Sequence, residues 1–188
     1  MSNLKELTWE HHKDAERQEF VKVLMSGKIN PRLYATYLWN QHKKYDLLEA
    51  MAMAQGLLDN LVDIRRKTKI EKDFLELWQE KEPPAIVSST RDYIMHMKEI
   101  MHDSNALMAH VYVLHMGDLS GGQMIARKAP GQGRMYQFNT DKAELKEAIR
   151  AKINDDMAEE AKYCFTASTN LFKELMELDI EPYLEQTD

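Results

Sequence analysis

A chain of 188 residues suits one domain with a core of its own, and 44% hydrophobic with 30% charged residues is the balance of an ordinary globular protein. The net charge of −6, from 25 basic against 31 acidic residues, excludes general nucleic-acid binding and requires that any anionic ligand be held by a local group of cations. The single cysteine, Cys164, excludes an internal disulfide and fits a reducing, cytoplasmic setting.

The N-terminus, Met1-Ser2-Asn3-Leu4-Lys5-Glu6, has no apolar signal region. Helical periodicity dominates from there, with no convincing alternating strand. A first helix is predicted from Asn3 to Met25, stopped by Gly27. Asn30-Pro31 reads as an N-cap with proline at the first helical position, opening a second helix to about Gln55. Gly56 to Gln79 reads as one or two shorter helices, and Lys81-Glu82-Pro83-Pro84 is a break. Ser88-Ser89-Thr90 offers caps for a helix through Met101. Asp103-Ser104-Asn105 restarts the chain into a long apolar helix ending near Lys128. Its stretch from Ser104 to Gly117 carries no Asp, Glu, Lys or Arg, yet is too short to span a bilayer. Pro130-Gly131-Gln132-Gly133 opens a loop lasting to about Thr140, and a final helix covers Asp141 to Leu178. The chain ends in Gln186-Thr187-Asp188, without a hydrophobic anchor. No repeat or linker divides it, so the expectation is one all-α domain over residues 1–188, a single-domain helical bundle.

Two segments carry the chemistry. On the first helix, Lys5, Thr8, His12 and Glu16 share one stripe. A metal-ligating imidazole usually has its second nitrogen held by a carboxylate or carbonyl, and Glu16 lies one turn beyond His12. Taken alone, such a pair is more often an ordinary surface feature. His11 lies about 100° away around the helix and is the weaker ligand candidate. In the apolar helix, Gly117, Gly121 and Gly122 fall within six residues, each costing about 1 kcal/mol relative to alanine. Gly117 and Gly121 leave one face bare, where something flat can approach, although close helix packing would explain bare glycines as well. Asp118 sits beside them among Leu, Met, Val and Tyr, where a carboxylate needs a hydrogen-bond partner.

The string Gly117-Asp118-Leu119-Ser120-Gly121-Gly122-Gln123, with Ala109-His110 and Tyr112 upstream, closely resembles the distal helix of heme oxygenases. His12, Ala15, Glu16 and Phe20 resemble the proximal segment of that family, with Gly27 in place after it. Tyr45, Glu49, Lys146, Arg150, Phe165 and the run Leu171 to Leu175 follow in the family's order, so the likeness covers most of the chain.

The resemblance implies a heme sandwiched between a proximal and a kinked distal helix. It implies His12 as axial iron ligand, with Glu16 as its partner, and Gly117 and Gly121 against the ring. Asp118, helped by Tyr45, would order distal water, and Lys5, Lys146 and Arg150 would hold the propionates. Tyr112, Ser120 and Phe165 complete the expected heme contacts. The implied reaction is cleavage of heme at a meso carbon, expected to be alpha, to biliverdin, carbon monoxide and ferrous iron. It uses O2 and an external reductant, a ferredoxin or a flavoprotein reductase, since no flavin- or nicotinamide-binding glycine motif is present. Lys13, Lys22, Lys142, Lys146 and Lys152 are candidates for meeting an acidic donor. Members of the family are generally monomeric, and this chain is expected to be a soluble monomer.

Some positions depart from the family. Leu114 stands where an arginine is usual, and His115-Met116 replaces a usual Tyr-Leu pair. His115 is expected to support the site from behind or to be a core histidine. The segment from Arg150 to Phe165 is shorter than in animal enzymes. Two other readings compete. A non-catalytic heme carrier or sensor would keep His12 and the glycines without needing Asp118. A non-heme di-iron oxidase would need paired Glu-x-x-His motifs, and only Glu99-Ile100-Met101-His102 has that spacing. A thiaminase-like role would need a catalytic cysteine, and Cys164 lacks an evident base.

Overall fold

The computed structural model describes residues 1–183, so Gln186-Thr187-Asp188 lies outside the described residues. Ten α-helices follow in order: α1 (Leu4–Leu7), α2 (Trp9–Glu16), α3 (Glu19–Met25), α4 (Pro31–Ala54), α5 (Lys67–Leu77), α6 (Ser88–Glu99), α7 (Ser104–Leu119), α8 (Gly122–Ile125), α9 (Lys142–Arg150) and α10 (Ala158–Glu177). Two 3-10 turns, Arg134–Tyr136 and Asp155–Met157, complete the set, and no strand occurs among the described residues.

α4 and α10 form the spine. α4 begins as its sequence dictates: Asn30 accepts a hydrogen bond from the Arg32 N–H at 2.9 Å, and Pro31 occupies the first helical position. It packs on α5, α6 and α7, while α10 packs on α2, α3, α6 and α7. α7 therefore lies between the two spine helices, and it is apolar on nearly every side because it is covered on nearly every side. α2 docks on the same helix, α10, that supports α7.

Three boundaries differ from expectation. The first helix is three pieces: it breaks at Thr8 (φ −110°, ψ 5°), whose hydroxyl donates to the Leu4 carbonyl at 2.8 Å, and at Gln18 (φ −65°, ψ 145°), whose side-chain amide donates to the Asp14 carbonyl at 2.9 Å. The final helix is two, interrupted where Asn154 is extended and its amide donates to the Asn105 side chain at 2.8 Å. Next in the chain, Asp155 accepts hydrogen bonds from Ser2 Oγ at 3.0 Å and the Asn3 N–H at 2.7 Å, tying the start of the chain to this interruption. The apolar helix ends at Leu119 instead of near Lys128, because Ser120 (φ −111°, ψ −93°) leaves the helical region before α8 resumes.

Caps also differ. Ser88 and Ser89 do not cap α6 themselves. The carboxylate of Glu174 on α10 accepts from both hydroxyls and from the Ser89 N–H, supplying the cap from another helix. Gly27, at φ +76°, takes the left-handed turn expected after α3.

Candidate functional site

The three glycines around the α7–α8 bend divide into two roles. A Cβ at Gly122 would stand 2.5 Å from Cδ1 of Tyr136, so only glycine lets that ring close over the bend. A Cβ at Gly117 or Gly121 would meet nothing within 4 Å. These two bare positions, with Ser120 and Met124, form an exposed strip on an otherwise buried segment. Internal packing thus explains Gly122, while Gly117 and Gly121 face open space and present backbone to it.

Behind this strip lies a buried polar network. Asp118, on the turn of α7 before the bend, accepts a hydrogen bond from the Tyr45 hydroxyl of α4 at 2.7 Å through Oδ2. The same hydroxyl lies 3.4 Å from the Leu114 carbonyl. Next to Tyr45, the ring of His115 approaches edge-on, at 5.2 Å between centroids. Nε2 of His115 lies 3.0 Å from Oε2 of Glu49, and Nδ1 lies 3.2 Å from the Val111 carbonyl. Glu49 in turn accepts from the backbone N–H groups of Arg66 and Lys67, at 2.6 and 2.8 Å.

Arg66 is fully buried, unusual for an arginine. Its guanidinium donates to the carbonyls of Asp63, Met135 and Gln137 and lies 3.8 Å over the Phe138 ring. Gln123 completes the frame, its amide donating to the Asp118 carbonyl at 3.1 Å and the Tyr136 carbonyl at 2.9 Å.

Burial pushes the Asp118 carboxyl up to about 7, against the opposing pull of His115, the Tyr45 hydrogen bond and Arg66. Burial and the neighbouring Asp118 hold the Tyr45 hydroxyl well above the usual tyrosine range. At neutral pH the pair therefore offers a carboxyl near its midpoint beside a hydroxyl that stays protonated.

On α2, His12 is accessible, with 37% of its side chain exposed. Its ring stacks on Phe165 of α10 at 5.1 Å and 14°, and Trp9 meets it edge-on at 5.6 Å. Glu16 engages the ring as the spacing predicts, at 2.8 Å, and the nitrogen engaged is Nε2. With Nε2 engaged by Glu16, the other ring nitrogen, Nδ1, is the one left open. Lys13 flanks Glu16 at 3.7 Å.

The cations expected at the ligand's edge lie on two helices, α1 and α9. Lys5 is exposed, 5.9 Å above the Trp9 ring. Lys146 is half-buried, and exposed Arg150 reaches Glu147 at 3.7 Å. Burial raises the half-buried Tyr112 hydroxyl; Glu6 of α1 raises it further and Arg150 lowers it, which places both charges near Tyr112. Lys22 pairs with Glu19 within α3 at 3.9 Å.

Sequence reasoning missed Arg66, Gln123 and Tyr136. Arg66 stands in the run Arg65-Arg66-Lys67, which carries every outward sign of a solvated loop. Cys164 is fully buried, and burial pushes its thiol up to about 12, which removes it as a nucleophile.

A family profile described as heme oxygenase matches residues 1–177. Heme oxygenase 2 of Macaca fascicularis is 30% identical over 203 residues, covering 92% of this chain and 64% of that protein. Heme oxygenase 1 of Homo sapiens is 29% identical, covering 93% of this chain and 71% of that protein. Among solved structures, heme oxygenase-1 from the cyanobacterium Synechocystis sp. PCC6803, determined in complex with heme, matches with a TM-score of 0.81 at 25% identity, over 93% of this chain and 90% of that one. Heme oxygenase from Leptospira interrogans matches with a TM-score of 0.77 at 27% identity, over 91% and 97%. The chain thus spans about two thirds of the length of the mammalian relatives and nearly all of the bacterial ones.

Proposed function

This chain belongs to the heme oxygenase family, and on that footing we propose that it opens the heme ring at a meso carbon, expected to be alpha, to give biliverdin, carbon monoxide and ferrous iron. The observation that carries this reading is the bare, open backbone at Gly117 and Gly121 directly beside the buried Asp118–Tyr45 pair. Close helix packing would have filled the space at those glycines, and a surface carboxylate would need no buried hydroxyl.

Heme is the substrate, and its iron supplies the oxygen-activating chemistry when bound. The residues of this chain do the rest. His12 offers one ring nitrogen to the iron while Glu16 holds the other and fixes the tautomer. Phe165 and Trp9 keep that ring from turning freely. Gly117 and Gly121 would let the flat ring approach bare backbone closely on the distal side, leaving no side chain between it and Asp118's turn. Tyr45 occupies Oδ2 of Asp118, leaving Oδ1 to exchange a proton with distal water. A carboxyl near 7 can both give and regain that proton at neutral pH. Lys5, Lys146 and Arg150 take the propionates, and Tyr112 and Ser120 line the remaining edge.

Leu114 is buried and brings no charge to this network. His115, the Tyr45 hydrogen bond and Arg66 act on its carboxyl instead. They hold it below where burial alone would put it.

Electrons come from an external donor, a ferredoxin or a flavoprotein reductase. No helix among the described residues is long and apolar enough to cross a membrane.

The test is a hemin titration followed by ascorbate or reduced ferredoxin in air. The expected result is a Soret band saturating at one equivalent, then fading as a bilin band grows. A stable Soret band without bilin would overturn the enzymatic reading in favour of a heme carrier. No Soret band at all would overturn the site.

A further inference from the structure

Apart from Asp118 and α2, three helices bring a second group of ligand-capable side chains together. His96 comes from α6, His110 from α7 and Glu160 from the first turn of α10. Nε2 of His96 lies 2.9 Å, and Nε2 of His110 2.8 Å, from one Glu160 oxygen, Oε2. Ligand atoms from the three residues lie within 4.8 Å of one another. Among the described residues this is the one group of three or more His, Cys, Asp or Glu side chains so placed. Glu99 and His102, the di-iron-like spacing in the sequence, are not part of it.

Several features resemble a coordination site more than a hydrogen-bonded clasp. Nδ1 of His110 lies 2.8 Å from the hydroxyl of buried Tyr93. In the ion-free protein Nε2 of His110 carries the proton it gives to Glu160 while Nδ1 accepts from the hydroxyl; an ion at Nε2 would shift that proton to Nδ1, where the hydroxyl oxygen can accept it. Metal-ligating imidazoles are held on their far nitrogen in this way. The His96 ring stacks on Tyr163 at 3.8 Å and 25°, which fixes its plane. Access is graded: the His110 side chain is fully buried, while His96 and Glu160 are 18% and 27% exposed. An ion arriving from solvent meets two partly exposed ligands and a buried third. Burial lowers His110 below the usual histidine range, favouring the neutral ring that ligates metal. Burial alone would raise Glu160, but hydrogen bonds from both histidines outweigh it and keep the carboxylate ionised.

We propose that His96, His110 and Glu160 form a binding site for a borderline divalent cation of the zinc class, with a fourth position left to water. Two imidazole nitrogens and one carboxylate oxygen are a donor set zinc takes, whereas calcium and magnesium want oxygen throughout. Ligand atoms around a tetrahedral zinc stand about 3.3 Å apart. The present 2.8 and 2.9 Å therefore have to open slightly, which the two partly exposed side chains allow. Lys44, the buried cation nearby, lies 4.6 Å over the Tyr93 ring. Its burial brings the ammonium down to about 8, which limits its repulsion of an ion. The ion would join α6, α7 and α10, the helices that carry or support the distal wall.

The test uses the full chain stripped with a chelator. Zinc binding is followed by calorimetry, and cobalt(II) by visible absorption. One equivalent is expected, with tetrahedral cobalt bands. His96→Ala and Glu160→Gln are each expected to weaken binding at least about 10-fold, and Tyr93→Phe about 10- to 100-fold. His12→Ala is expected to leave it unchanged, which separates this site from the accessible histidines on α2. Retained helical circular dichroism and an unchanged hemin titration in the His96 and Glu160 variants exclude misfolding as the cause. Failure to bind zinc at micromolar concentrations would overturn the proposal. So would a one-to-one site that survives the His96→Ala/Glu160→Gln double substitution.

Discussion

Around α2, the ion pairs join residues three or four apart: His12 with Glu16, Lys13 with Glu16, and Arg17 with Asp14. On α7, Asp118 and His115 pair with Tyr45 and Glu49, which stand 73 and 66 residues away in the chain. The α2 side is half-exposed and held by local geometry; the α7 side is buried and held by α4 and the segment around Arg66. Chemistry that needs a proton near neutrality falls on the second side, because only burial moves a carboxyl so far. A ligand that needs only an accessible imidazole can stand on the first. Site residues on a helix surface and in a core are therefore expected to fail differently when altered.

Asp118→Ala is expected to break the comparison most sharply. Bilin formation should fall about 100-fold or more, within the range for a lost proton-transfer group, while the Soret titration stays close to wild type. Unchanged bilin yield would show that the buried side contributes only structure. Asp118→Asn sharpens the same point through stability. The folded pKa of Asp118 stands above its unfolded value, so the unfolded chain releases this proton first as pH rises. Stability contributed by this group therefore falls from about pH 4 to about pH 7 and is level beyond. The Asn variant of the apoprotein should exceed wild type by on the order of 4 kcal/mol at pH 8. By pH 4 the two should agree, as urea denaturation at each pH would reveal. An equal difference at both pH values would mean the carboxyl is not held up by burial.

The glycines give a paired test within one turn of chain. Gly122→Ala forces a Cβ into the Tyr136 ring and should cost about 1–3 kcal/mol. Gly117→Ala meets nothing and should stabilise the apoprotein by up to about 1 kcal/mol through helix propensity, while slowing bilin formation. If both destabilise equally in urea melts, the open face at Gly117 is not open in solution. The smallest effect belongs to α2: Glu16→Gln should leave the urea midpoint unmoved, because an exposed pair of this spacing contributes little. A shifted iron–histidine stretching frequency in the ferrous heme complex would still register the lost carboxylate, and an unshifted one would remove Glu16 from the proximal role.

The same division explains what could be read from the sequence. The start of α4 was legible from Asn30-Pro31, and the His12–Glu16 contact from helical spacing alone. The glycines and Asp118 drew attention because they are costly where they stand. The split roles of Gly117 and Gly122 were hidden, because what fills the space beside each is Tyr136 or nothing, and that depends on a segment beyond the loop. Arg66 and the His96–His110–Glu160 cluster are likewise products of long-range packing, with no local pattern to announce them. The interruptions at Gln18 and Asn154 were written in polar side chains able to bond backbone or neighbours. The strong helical pattern on either side masked them.

The bonds from Asp155 to Ser2 and Asn3 have a consequence for how the protein is made. Translation proceeds at roughly 5–20 residues per second, so residue 155 follows the N-terminus by roughly 8–30 s. Through that interval α1 and α2 have left the ribosome without their anchor at Asp155 or their support on α10. The contacts that anchor α1 and place the His12 ring therefore cannot form before Asp155 and Phe165 have been synthesised.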